Sequence, residues 1–179
     1  MKKFMLLSGL VAAISATTMV QAAEGELTFT GTLVASSCEV NVGGGGDINV
    51  PMGTVDFAAL SEGSVGYVDA PIAFNVSCSD TGGLDTARLT FDPSGGSGTN
   101  PNDSRLLALN TGADEATGVG IALVKKDGNI IDLTSDPSVT ELLSGDSADF
   151  GLRAGFVLDG TTQKPGAVNA TLPVVLSLE

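Results

Sequence analysis

Glu26-Leu-Thr-Phe-Thr-Gly-Thr-Leu-Val-Ala-Ser-Ser-Cys-Glu-Val-Asn-Val42 changes phase in mid-run. Leu27, Phe29, Gly31 and Leu33 take odd positions, with threonines between the first four of these places. Cys38, Val40 and Val42 take even ones. Side chains of a β-strand alternate between two faces, so one strand cannot bury both sets on the same side. Either the chain bulges or bends near Ala35 to Ser37, or the first set serves a different core from the second.

The same two-residue period recurs downstream. Ile72, Phe74, Val76 and Cys78 alternate with small or polar residues, and Ala87, Leu89 and Phe91 follow. Val119, Ile121 and Leu123 form another set; Phe150, Leu152, Ala154, Phe156 and Leu158 form a further one-sided strand. The chain ends on Val168, Ala170, Leu172, Val174, Leu176 and Leu178, all on one face. Between these runs lie most of the 24 glycines and 7 prolines, the punctuation of a β-sandwich or barrel. Ile48 to Phe57 is expected to be a strand despite Pro51. Lys126-Asp-Gly-Asn129 is expected to turn a hairpin, with Ile130 to Leu133 as its return strand. Asp92 to Ser104 reads as a loop, and Gly43 to Gly46 as a flexible connection. The one place for a helical turn is Ser138 to Leu143.

Upstream, Lys2 and Lys3 precede a mostly apolar run from Phe4 to Ile14, and Val20-Gln-Ala22 offers small residues before a cut. This is the layout of a secretory signal peptide over 1–22. The apolar run is well short of the roughly 20 residues that span a bilayer. Cleavage removes two of the eight basic residues and leaves 6 against 21 acidic ones, a net charge of −15. Such a surface repels nucleic acid and anionic lipid.

The chain has no histidine and no tryptophan. That removes Ser-His-Asp and Cys-His catalysis, the commonest zinc ligand, and most of an aromatic platform. The carboxylates at Asp114-Glu115 and at Asp80 with Asp85 lack the spacing of a calcium loop and read as solvated turns. No catalytic residue, metal or cofactor is therefore expected. The two cysteines, Cys38 and Cys78, would pair most simply in an oxidising compartment; two free buried thiols are the alternative.

Five segments together resemble subunits of chaperone–usher fimbriae, the type 1-like pilins. Glu26 to Cys38 resembles the family's donor strand running into its first cysteine, and Pro71-Ile-Ala-Phe-Asn-Val-Ser-Cys78 the strand carrying the second. Ala116 to Leu123 with Asp127-Gly128 resembles a pilin strand and hairpin, and Phe150-Gly-Leu-Arg-Ala-Gly-Phe156 the penultimate strand. Lys164 to Ala170 and the terminal strand complete the set, with Gly166 fourteenth from the end. Two places depart from the pattern: Leu178 stands where the family often has tyrosine, and Pro173 cannot donate to a ladder.

The resemblance implies an all-β, immunoglobulin-like sandwich that lacks its last strand and is completed by a donor strand from a neighbour. It divides the chain into a signal peptide (1–22), an N-terminal donor-strand extension (23–35) and a pilin domain (36–179). Leu27, Phe29, Gly31 and Leu33 would form the donor strand. Gly166, Val168, Ala170, Leu172, Val174, Leu176, Leu178 and Glu179 would flank the groove. The implied partners are neighbouring subunits, a periplasmic chaperone and an outer-membrane usher, on the way to a surface fimbria that supports adhesion. A minor or adaptor subunit, or a tip adhesin, is the alternative, although a tip adhesin usually carries a separate receptor domain.

Overall fold

The computed structural model describes residues 37–41, 48–62, 64–72 and 74–179, all within the compact unit Val34–Glu179. The signal peptide, the extension with Leu27, Phe29, Gly31 and Leu33, and the Gly43 to Gly46 run lie outside the described residues. Within them the chain is almost entirely β. Its strands are β1 (Ser37–Asn41), β2 (Gly66–Ile72), β3 (Asn75–Asp80), β4 (Thr86–Phe91), β5 (Val119–Val124), β6 (Ser138–Leu142), β7 (Ser147–Asp149), β8 (Leu152–Leu158) and β9 (Val174–Leu178). Two single 3-10 turns, Phe57–Ala59 and Pro93–Gly95, are the only helical pieces among the described residues.

The strands form three antiparallel sheets of order β1-β3-β7, β2-β8-β5 and β6-β4-β9, none of them closed. Alternate residues explain the packing. Ala87, Leu89 and Phe91 of β4 meet Ile121, Leu123, Ala154 and Phe156 of β5 and β8 in a single core, joined by Val76 and Ala148. Phe150 and Leu89 are fully buried. Each such side chain stabilises by about 1.5–3 kcal/mol.

Several sequence expectations need correction. The run Ile72 to Cys78 is not one strand: β2 ends at Ile72 and β3 starts at Asn75, with Phe74 N–H donating to Ile72 O between them. The chain changes sheets there while keeping Ile72, Phe74, Val76 and Cys78 buried. Ser138–Leu142 is a strand, not a helical turn, because β4 offers it a ladder from Thr86 to Thr90. Ile130 returns beside Val124 as a single bridge rather than a strand, although the turn itself forms: Gly128 has φ +86° and Lys125 N–H donates to Asn129 O. β5 and β8 are buried on both faces, since Leu106 covers Ala122, Val124 and Val157 on the outer side. Ile48 to Phe57 forms no strand.

Candidate functional site

The last sixteen residues build the site. Val168, Ala170, Leu172, Val174, Leu176 and Leu178 are each half-buried against the core, and the odd residues between them are exposed. Val175 on the outer face keeps 62% of its surface exposed. A row packed against a core yet left half open is one wall of a groove.

The backbone alternates in the same way. In an antiparallel ladder both polar groups of a residue point to one side, and those of the next residue to the other. Thr86 and Glu179 exchange both bonds, N to O 3.1 and 2.9 Å, so the odd residues of β9 face β4. Above β9 the odd residues also face inward. Asp92 N–H donates to Pro173 O (2.9 Å), Ser97 N–H to Thr171 O (2.9 Å), Asn110 N–H to Asn169 O (2.8 Å) and Ala116 N–H to Ala167 O (2.8 Å). The N–H and C=O groups of the even residues therefore point to the opposite edge. There β9 is the last strand of its sheet. Pro173 is an odd residue, so its missing N–H falls on the inner side. The open edge loses no donor to it.

The other wall is the segment Ile48 to Leu60. Ile48, Val50 and Met52 are half-buried, and Asn49, Pro51 and Gly53 are exposed, so the expected alternation is present. Among the described residues, however, no backbone hydrogen bond ties 48–55 to a neighbour. A strand needs a partner, and among the described residues none is paired with this segment. Between this segment and Pro165–Val168 lies a cavity of about 490 Å³, with Val50, Met52, Val55, Phe57 and Leu60 on one side and Ala116, Val119 and Phe156 at its base.

Gly166 sits at the mouth of that cavity because the backbone leaves no room for more. A Cβ there would lie 2.5 Å from Asp114 O and 2.6 Å from Ala116 N. Gly166→Ala should push the terminal strand away from residues 114–116 and cost about 1–3 kcal/mol as overpacking. The check is the urea midpoint for dissociation of assembled material, which should fall; an unchanged midpoint would count against the close fit.

Cys78 is buried and disulfide-bonded. The chain's other cysteine, Cys38, stands directly across the β1–β3 ladder from it. Of the carboxylates considered as cation ligands, Asp80 accepts from Gly82 N–H (2.8 Å) within its own turn, and Glu115 Oε1 accepts from Asn169 Nδ2 (2.9 Å) of the terminal segment. Asp92 caps the 3-10 turn at Pro93, and the bonds from the Ser94 hydroxyl and Gly95 N–H hold its carboxyl below the ordinary aspartate range.

The chain belongs to the fimbrial protein family, which it matches over residues 27–179. It is similar in fold to a chain from a chaperone–usher pilus solved for the basis of rod uncoiling. The identity is 22% and the TM-score 0.59, over 92% of this chain and all of that one. It is also similar to the P pilus rod subunit PapA, with 15% identity and a TM-score of 0.50 over 79% of this chain and 99% of that one. A Burkholderia pseudomallei antigen and type I fimbria protein shares 20% identity over 81% of this chain and 98% of its own, with a TM-score of 0.47. No curated protein matches the chain. The fold is thus the immunoglobulin-like pilin fold with its sheets left open. The protein is a structural subunit of a surface fimbria, and its partners are other subunits.

Proposed function

We propose that this chain is a filament subunit assembled by the chaperone–usher route through donor-strand exchange. Residues 23–35 of one subunit add as a strand to the open edge beside Val168–Leu178 of the next. The observation that carries this reading is the terminal strand itself: six half-buried apolar side chains on a strand that, among the described residues, is the last of its sheet and turns the backbone groups of its even residues outward. An added strand would complete the ladder, and its alternate side chains would enter the groove. Leu27, Phe29 and Leu33 supply large apolar side chains at that spacing, worth about 1.5–3 kcal/mol each on burial. Gly31 would sit where the backbones approach closely.

Before assembly, a periplasmic chaperone would fill the groove with a strand of its own and anchor the Glu179 carboxylate with basic groups. An outer-membrane usher would then exchange it for the next subunit's extension. The Cys38–Cys78 crosslink would hold β1, the strand that follows the extension, to β3. Export would follow cleavage after Ala22. A shaft or adaptor position fits this reading better than the tip, because a donor segment at the N-terminus needs a subunit ahead of it to complete. Surface filaments purified from the producing cell, with the subunit identified by mass, test this. Filaments built from a chain beginning at Ala23 are expected; a stable soluble monomer with no filament would contradict it.

A further inference from the structure

The inner support of the terminal strand is uneven. β4 supplies it as far as Phe91, opposite Val174. There the chain leaves the sheet through Asp92 and the 3-10 turn Pro93–Gly95, and it touches the terminal strand again at Ser97. Between Pro173 and Asn169, Ser97 is the only inner partner among the described residues. It grips Thr171 from both sides: its N–H donates to Thr171 O (2.9 Å), and its Oγ accepts from Thr171 N–H (2.8 Å). The hydroxyl itself donates to Asn110 Oδ1 (2.8 Å), which leaves a lone pair aimed at Thr171. Asn110 N–H holds Asn169 O two residues away. Gly96 allows this approach, since a Cβ there would overlap Thr171 O and lie 2.8 Å from Pro173 Cδ.

We infer that Ser97 is a positioning residue for the acceptor groove. It replaces, with one hydroxyl and one N–H, the stretch of strand that β4 no longer provides. Fixing both polar groups of Thr171 inward turns those of Ala170 and Leu172 outward, toward the donor. The donor ladder then continues unbroken from the cavity at Val168 to the β4-supported end at Leu178. This inference rests on the donor-strand reading above and names a residue that serves it.

The test is amide hydrogen exchange in filaments assembled from the full chain. In the parent filament, Ala170, Leu172, Val174, Leu176 and Leu178 should all be protected. Free exchange at these even positions would remove the donor-strand reading itself, before any variant is compared. In Ser97→Ala, the amides of Ala170, Thr171 and Leu172 should exchange at least tenfold faster while Leu176 and Leu178 stay unchanged. Ser97→Thr, which keeps the hydroxyl, should restore the parent pattern. Unchanged protection at Ala170 and Leu172, a uniform rise along the whole strand, or no rescue by threonine would each overturn the inference. Should Ser97→Ala fail to assemble, Asn110→Ala frees the hydroxyl to rotate and should speed the same three amides by a smaller factor. No local change there would overturn the inference too.

Discussion

Phe29→Asp should abolish polymerisation while leaving the complex with the chaperone intact. Among the described residues the core closes around Phe150, Leu89, Leu152 and Val76. Phe29 would reach a core only in the neighbour's groove. There the substitution removes a large apolar side chain, worth about 1.5–3 kcal/mol. It also places a charge among apolar walls, where the described residues lining the cavity include no Lys or Arg, and an unpaired buried charge is costly. The measurement is filament yield at the cell surface beside recovery of the periplasmic chaperone complex. Loss of the chaperone complex with some polymerisation retained would mean that Phe29 belongs to the subunit's own core.

Deletion of residues 175–179 should leave the subunit unable to persist in the periplasm. It removes nearly all of β9, including Leu176 and Leu178 and the paired bonds between Thr86 and Glu179. Ala87 and Leu89, both fully buried, would then lie at a sheet edge. The loss falls on the strand that a chaperone would need as its template, so fold and capture fail together. Immunodetection of the truncated chain in periplasmic extracts should show little or none. A normal yield of chaperone complex would contradict the placing of the groove beside this strand.

The sequence makes faces legible and leaves partners hidden. Val168 to Leu178 shows its inward face by simple alternation, and the half-burial of every even residue follows from it. Ile48 to Met52 alternates just as clearly, yet it is not a strand, because periodicity reports a face and cannot report whether a ladder lies alongside. Ser138–Leu142 misleads in the opposite direction: only Val139 of its apolar residues is buried, and Leu142 keeps 72% of its surface exposed, so the run carries little period-two signal. β5 and β8 look one-sided in sequence, and their second buried face depends on Leu106, brought over them by a distant loop. Ser97 carries no signal at all. A serine in a Gly-, Pro- and Ser-rich loop becomes a strand surrogate only through its contact with Thr171. Pro173 reads in sequence as a break in the edge ladder, but the parity of its position turns its missing N–H inward.

The most direct measurement is of contacts between residues 23–35 and the groove in filaments assembled from an equal mixture of two isotopically distinct copies of the chain. Contacts from Leu27, Phe29 and Leu33 to the even residues Val168 to Leu178 should appear between differently labelled copies. The same contacts found only within one copy would show a segment folded back into its own groove, and would contradict assembly by strand donation.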